Sequence, residues 1–133
     1  MSVAQHAWFF ETDTARDALE GRHLLERYLS NHCENCDLFA ANLVFGELIS
    51  NVIKHAPGGG VRVWLEPEGP RFALCIKDDG KGFSKAPSFE LPADPGSESG
   101  RGLYLVKKLT CNFEYKRDDG FMVRAVLPVT RRS

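Results

Sequence analysis

The stretch Leu38–His55, LFAANLVFGELISNVIKH, decides how the rest of the sequence is interpreted. Within it, Glu47, Asn51 and His55 follow one another at intervals of four residues. A four-residue step turns only about 40° around a helix axis, so a helix here carries these three polar groups in one row. The apolar residues also recur at helical spacing and predict a separate apolar face, formed by Leu38, Ala41, Val44, Phe45, Leu48 and Val52. Taken alone, the row is equally explained as a solvated polar face.

The composition is that of an ordinary globular chain. Its 133 residues are 43% hydrophobic and 26% charged, which suits one domain over residues 1–133 with a single core. The net charge of −1 provides no basic surface for nucleic acid or for an anionic membrane. No apolar run reaches the length of a membrane-spanning helix, and the first residues lack the pattern of a signal peptide. We therefore expect a cytoplasmic protein that binds neither nucleic acid nor membrane directly.

Periodicity along the chain predicts an alternation of helices and strands. The strands cover 7–11, 61–66, 71–78, 112–117 and 121–128, and the helices cover 14–31, 38–55 and 103–110. Consecutive strands joined by short turns favour hairpins, so we predict a mixed, mainly antiparallel sheet with its helices on one face. The predicted fold class is α/β (α+β), a two-layer sandwich. Residues 32–36 are predicted to form a polar turn, and 130–133 a frayed terminus.

Two glycine motifs follow the central helix. Asp78-x-Gly80-x-Gly82 comes at the end of a predicted strand, where an aspartate accepts a hydrogen bond from an exocyclic amine and glycine lets a flat ring approach the backbone. Gly100-x-Gly102 opens a predicted helix, whose free N–H groups favour a phosphate. A solvent turn explains the first motif and a flexible hinge explains the second, so neither is specific by itself.

The segment between these motifs is irregular. Residues 84–99 show no periodicity and contain three prolines. A long irregular segment inside a compact domain is usually a functional lid or a disordered linker. Because it joins the two glycine motifs, we predict a lid at about 83–100.

Four cysteines stand at positions 33, 36, 75 and 111. Cys75 lies in a predicted strand and Cys111 follows a predicted helix, so both are interpreted as buried apolar side chains. Cys33 and Cys36 form a single C-x-x-C, a pattern found in redox and zinc sites. Because a tetrahedral zinc site needs four ligands and no second Cys/His pair follows, a polar turn is the preferred interpretation.

The three motifs together are far more specific than any one of them. E-x-x-x-N-x-x-x-H on a helix, D-x-G-x-G after a strand and G-x-G at a helix start, in this order, closely resemble the GHKL ATPase superfamily, whose nucleotide site is called the Bergerat fold. The resemblance spans nearly the whole chain. It implies that the chain binds ATP with Mg²⁺ and that the irregular segment is an ATP lid.

Within that superfamily the chain looks like the bacterial anti-sigma-factor serine/threonine kinases of partner-switching systems. It has no room for a transducer domain, and it begins with a strand and a helix. A domain excised from a sensor histidine kinase is disfavoured by the start at Met1 and by the predicted helix over 14–31. The resemblance implies that the chain binds ATP, holds a sigma factor inactive and phosphorylates a STAS-type anti-anti-sigma protein.

On the central helix, the resemblance implies a role for each matching residue. Asn51 would hold Mg²⁺ through its carbonyl oxygen, an atom type that this ion prefers. Glu47, one turn earlier, would be the general base toward the attacking hydroxyl. Lys54 and His55 would lie near the phosphates as lesser contributors.

The glycine motifs would complete the nucleotide site. By the same resemblance, Asp78 would bind the adenine amino group, and Gly80 and Gly82 would give the base room. Gly100 and Gly102 would bring backbone N–H groups to the phosphates. These implied roles place adenine at the strand end and phosphates at the helix start.

One departure from the family pattern bears on catalysis. Kinases of this type usually carry a basic residue just before the lid glycines, whereas Glu98 and Ser99 stand there in this chain. Arg101, between the glycines, is the substitute candidate, because a guanidinium bridges phosphate oxygens. Two readings stay open: a kinase that acts as an anti-sigma factor, and a non-catalytic nucleotide-gated module that binds a protein partner. Glu47 favours the kinase, and the missing basic residue favours the module.

Pairing of two copies is a further expectation. Related anti-sigma factors pair through the sheet or the first helix, so the resemblance also implies a homodimer. Aromatic side chains are the candidates for such a surface, namely Trp8, Phe9, Phe10 and Trp64. Core packing explains the same four residues equally well.

Overall fold

Helices and strands alternate in the computed structural model, which describes residues 7–12, 15–55, 59–78, 101–117 and 121–132. The elements are β1 (Trp8–Thr12), a 3-10 helix (Ala15–Glu20), α1 (Gly21–His32), β2 (Cys33–Cys36), α2 (Leu38–His55), β3 (Val61–Glu68), β4 (Arg71–Asp78), α3 (Arg101–Leu109), β5 (Asn112–Arg117), β6 (Phe121–Val126) and β7 (Val129–Arg131). Five strands form an antiparallel sheet in the order β1-β3-β4-β6-β5, and β2 pairs with β7 in a separate ladder. The predicted α+β sandwich is confirmed.

The inner face of the sheet and the apolar face of α2 form one core. Antiparallel register places Val63 opposite Ile76 and Leu65 opposite Leu74, and all four side chains are buried. They join Phe45 of α2 in a single hydrophobic cluster. Each such side chain contributes about 1.5–3 kcal/mol by leaving water, so this face fixes α2 on the sheet.

The start of α2 is held by a side-chain cap. The Oδ1 atom of Asp37 accepts a hydrogen bond from the backbone N–H of Ala40 at 3.0 Å. Such a cap typically stabilises a helix by about 1 kcal/mol. A second bond ties α2 to α1, because Asn42 Nδ2 donates to Glu26 Oε2 at 2.5 Å. Together these contacts set where α2 begins and how it lies against α1.

The single helix predicted over 14–31 is wrong in its first part. The structure has a 3-10 helix over Ala15–Glu20, followed by α1 from Gly21. A Cβ atom at Gly21 would lie 3.0 Å from the Phe10 ring, so the missing side chain lets β1 pack closely on the helix start. Glycine also weakens a continuous helix, which fits a change of helix type at this residue.

Two further predictions are corrected by the β2–β7 ladder. Residues 32–36 were expected to be a polar turn, and 130–133 a frayed terminus. Instead, Cys33 lies opposite Arg131 and Cys36 opposite Val129 in antiparallel pairing. Each segment is a strand because the other supplies its backbone hydrogen-bond partners. The residue pattern of either segment alone does not indicate this pairing.

The cysteine interpretation is right at one position and wrong at another. Cys75 is fully buried in β4, as predicted, and burial raises the pKa of its thiol to about 12. Cys111 is exposed, because it lies between the end of α3 and the start of β5. Its backbone N–H donates to the carbonyl of Val126 at 2.8 Å, which turns the chain into the sheet.

A polar network lies on the outer face of the sheet, away from the helices. Trp64 Nε1 donates to Glu66 Oε2 at 2.8 Å, and Arg124 contacts both Glu66 and Glu68. Burial raises the pKa of Glu66, but the hydrogen bonds from Trp64 and Arg124 outweigh it and leave the pKa below its usual value. These contacts explain how an indole remains buried on a face that no described helix covers.

The four aromatics proposed for a homodimer surface occupy different environments. Trp8 and Phe10 pack against the core cluster, and Trp64 is buried. Phe9 is 47% exposed. Core packing therefore accounts for Trp8 and Phe10, and burial within the outer-face polar network accounts for Trp64. A homodimer stays a prediction.

Gly46 provides a test of the helix energetics. A Cβ atom there would meet nothing within 4 Å, so Gly46→Ala is expected to stabilise the fold by about 0.5–1 kcal/mol through helix propensity. Calorimetry should show a rise in melting temperature. Gly69→Ala is the matched control, because its surroundings are equally open but its φ of +56° disfavours a side chain. A lower melting temperature for Gly46→Ala would contradict the prediction.

Candidate functional site

The polar row on α2 contains an unsatisfied amide. Glu47 and Asn51 are both half-buried on this helix, one turn apart. The Nδ2 atom of Asn51 is buried and has no hydrogen-bond partner within the part of the chain described. An unpaired buried donor costs about 1–3 kcal/mol, and one in a native fold points to strain or to a group that binds there. Lys54 and His55 belong to α2, but their side chains lie outside the description.

Asp78 is the buried charged residue of the described chain. It ends β4 opposite Val61, in the same alternation that turns Ile76 and Val61 toward the helices. Its exposed fraction is only 2%. A buried carboxylate needs groups that compensate for its lost hydration, and its place at the end of β4 makes Asp78 a candidate site residue.

A polar cavity opens beside Asp78. Its volume is about 340 Å³, and it is lined by Glu11, Thr12, Gly60, Val61, Arg62, Lys77 and Asp78. These residues come from the neighbouring ends of β1, β3 and β4. Neither Glu47 nor Asn51 lines this cavity. The helix that carries them is connected to Asp78 by the packing of α2 on β4.

A second, larger depression is lined in part by Glu47. This groove, about 550 Å³, runs between the 3-10 helix, α1 and α2, and is lined by Leu19, Arg22, Phe39, Asn42, Leu43, Gly46, Glu47 and Ser50. Phe39 is 77% exposed at its edge. We call this depression the α1–α2 groove. Sequence reasoning missed it, because a phenylalanine's residue type predicts burial and not exposure.

The glycine motifs are described in part. Arg101 and Gly102 open α3, which begins two residues earlier than predicted and packs against α2. Gly80, Gly82, Gly100 and the lid at about 83–100 lie outside the described residues, as does the side chain of Arg101. The structure thus places α3 against the helix that carries Glu47 and Asn51.

None of the helices in the described part of the chain combines the length and apolarity needed to cross a bilayer. Likewise, no set of three or more His, Cys, Asp or Glu residues within those ranges is placed to hold a metal ion.

The fold and the site define a class of protein: an α+β sandwich with an acid and an amide on one helix, and a buried aspartate at the end of a strand that this helix packs against. The sequence model of the histidine kinase-like ATPase domain matches residues 12–127, which run from β1 to the residue after β6. The chain belongs to this family, and the match supports the GHKL superfamily and an ATP-binding regulatory function. A comparison with curated proteins found no match.

Proposed function

We propose that this chain is an ATP-dependent serine/threonine protein kinase that acts as an anti-sigma factor and phosphorylates a STAS-type anti-anti-sigma protein. One observation carries the proposal. Glu47 lies one helical turn from Asn51 and also lines the open α1–α2 groove. The acid is thereby within reach of both a nucleotide at Asn51 and a protein entering from the surface, as phosphoryl transfer between them requires.

The nucleotide part of the proposal rests on two buried polar groups. Asp78 offers carboxylate oxygens to the adenine amino group, and its burial would strengthen that hydrogen bond. Asn51 has an unpaired Nδ2 atom, so ligand binding would satisfy a side chain that the protein leaves unsatisfied. Its carbonyl oxygen would hold Mg²⁺, which would neutralise charge on the ATP phosphates.

Glu47 would act on the acceptor. The hydroxyl oxygen of a serine or threonine attacks the γ-phosphorus, Glu47 takes the hydroxyl proton, and the bond from phosphorus to the bridging oxygen breaks. ADP leaves, and the phosphoryl group remains on the acceptor. A site that only bound nucleotide would have no use for a carboxylate at this position, which is why Glu47 supports the kinase over the gated module.

Label transfer tests the proposal directly. The protein is incubated with Mg²⁺, ATP labelled at the γ-phosphate and the anti-anti-sigma protein of its own organism, and the acceptor is then analysed for phosphoserine and phosphothreonine. We expect label on the acceptor. If ATP binds normally but no label appears, the nucleotide-gated module replaces the kinase. The sequence has Glu98 and Ser99 where such kinases usually have a basic residue, and this difference favours the second function.

Substitution at Asp78 tests the adenine contact. Asp78→Asn is expected to weaken ATP binding by about tenfold or more, because a hydrogen bond to a charged group contributes about 1.5–3 kcal/mol. The new amide donates to an oxygen, so the affinity ratio of ATP to inosine triphosphate should fall as well. Calorimetric titration with both nucleotides measures the two effects. Glu34→Gln, an exposed carboxylate change on β2, is the control. An unchanged nucleotide ratio would remove the assignment.

Substitution at Phe39 tests the acceptor surface. An exposed aromatic at the edge of a groove is typical of residues that dominate binding, and losing one costs about 2 kcal/mol or more. Phe39→Ala should therefore raise the KM for the acceptor by about thirtyfold while the affinity for ATP stays unchanged. Leu24→Ala removes an exposed apolar side chain of α1 outside the groove and should change neither. Equal effects of the two variants would argue against docking in this groove.

A further inference from the structure

The β2–β7 ladder brings the C-x-x-C cysteines onto one face. In a regular strand, residues three apart point to opposite faces. Here the register shifts between Cys33 and Asn35, so that Cys33 lies opposite Arg131 and Cys36 opposite Val129. Residues two apart on a partner strand share a face and lie about 6.6 Å apart. The β-bulge therefore aligns both thiols, as bulges commonly re-aim side chains.

The two thiols share one environment. Both cysteines are free, and both belong to or pack against the same hydrophobic core cluster. A disulfide requires Cα atoms about 4.4–6.8 Å apart with side chains directed at each other. The ladder places Cys33 and Cys36 opposite partner residues about 6.6 Å apart, a spacing within that range. Bond formation thus needs only a small closing movement within the bulge.

The surroundings distinguish the two sulfur atoms. Cys33 is 5% exposed, whereas Cys36 is half-buried, so an external reagent reaches Cys36 first. Arg131 and Arg132 lie on the Cys33 side and favour its thiolate, although burial still raises the pKa of Cys33 overall. This arrangement suits a pair in which Cys36 meets the reagent and Cys33 resolves the product.

We propose that Cys33 and Cys36 are a modification site that forms a reversible intramolecular disulfide with low-molecular-weight disulfides such as oxidised glutathione. The Cys36 thiolate attacks one sulfur of the reagent, which releases one thiol and leaves a mixed disulfide on Cys36. The Cys33 thiolate then attacks the Cys36 sulfur and releases the second thiol. The protein loses two protons and two electrons, and the reagent is reduced to two thiols.

The disulfide would act at the start of α2. Cys36 directly precedes Asp37, whose side chain caps that helix. Oxidation would therefore fix the connection between α1 and α2 without adding a group to the nucleotide site. The modification does not depend on the proposed kinase activity.

The reaction should be slow at neutral pH and faster in base. Burial and the adjacent Cys33 raise the pKa of Cys36 to about 11. Below that pKa the thiolate fraction grows about tenfold per pH unit, and the exchange rate should follow it between pH 7 and 10.

Peptide mapping of the full chain tests the proposal. The protein is treated with oxidised glutathione at pH 9, the remaining thiols are alkylated, and trypsin, which cleaves after Arg27 and Lys54, places both cysteines in one peptide. We expect that peptide to have lost two hydrogen atoms, to carry neither glutathione nor alkyl group, and to recover two thiols with dithiothreitol. A peptide alkylated twice, or one carrying two glutathiones, would overturn the proposal.

Single substitutions identify the order of attack. In Cys33→Ser the resolving thiol is missing, so one glutathione should remain on Cys36. Cys75→Ser, which removes a buried thiol elsewhere in the sheet, should leave disulfide formation unchanged. Failure of Cys33→Ser to retain glutathione, in protein whose circular dichroism matches the parent, would contradict the proposed order.

Discussion

Glu47→Gln is expected to slow phosphoryl transfer to the acceptor by about 10²–10⁴-fold, the usual contribution of a general base. Glutamine keeps the size of the side chain and its place in the α1–α2 groove, but it cannot accept the hydroxyl proton. The affinity for ATP should stay unchanged, because Glu47 is assigned to the acceptor and not to the nucleotide. The result is thus a fall in kcat without a change in the dissociation constant of ATP.

Single-turnover kinetics with labelled ATP and saturating acceptor measure this effect apart from product release. Glu114→Gln makes the same chemical change at an exposed carboxylate on β5 and should leave the rate as it is. A variant that transfers phosphate at the parental rate would exclude Glu47 as the base. Loss of ATP binding together with loss of transfer would move Glu47 from the acceptor to the nucleotide.

Asn51→Ala is expected to abolish most Mg²⁺-dependent ATP binding. Losing a ligand to a charged group costs about 1.5–3 kcal/mol, which corresponds to about 10–150-fold in affinity. The fold should tolerate the change, since Asn51 Nδ2 is buried and makes no hydrogen bond within the described chain. We expect the free energy of unfolding to change by less than about 1 kcal/mol, because removing an unsatisfied donor offsets the lost packing.

Asn42→Ala provides the matched comparison on the same helix. Its amide donates to Glu26 Oε2, so its removal should destabilise the fold by about 1.5–3 kcal/mol and leave ATP binding intact. Denaturant unfolding and calorimetric titration, applied to both variants, should therefore give opposite patterns. Tight Mg²⁺-dependent ATP binding by Asn51→Ala, or its unfolding, would defeat the assignment of this amide.

The sequence alone predicts those parts of the fold that depend on local pattern. The helix over Leu38–His55 is found with the predicted bounds, because its apolar residues recur at helical spacing and Asp37 caps its start. The β3–β4 hairpin follows from alternation of apolar residues on either side of a turn that contains Gly69. In both cases the residues that determine the element lie within that element or directly beside it.

Other parts depend on partners that are distant in sequence. The polar segment Cys33–Cys36 is a strand only because Val129–Arg131 lies beside it. The change of helix type at Gly21 likewise depends on the Phe10 ring, which packs against it from β1. Neither contact has a signature in the local residue pattern, so periodicity could not reveal it.

The candidate site divides in the same way. Glu47, Asn51 and Asp78 were selected from motif spacing, and their roles in nucleotide binding stay predictions. The α1–α2 groove was not found, since it arises from the relative placement of two helices and from an exposed Phe39. The burial of Asp78 was also beyond the motif, because it depends on the register of β4 against β3.

The pairing of β2 with β7 also bears on when this fold can form during synthesis. Residues 33–36 leave the ribosome early, but their backbone partners at 129–131 are made after every other strand and helix of the described chain. Until then the segment between α1 and α2 lacks its ladder, and closing so long a loop is a slow, non-local step. The nascent chain therefore completes this ladder only after residues 129–131 have been made, when β7 docks beside β2.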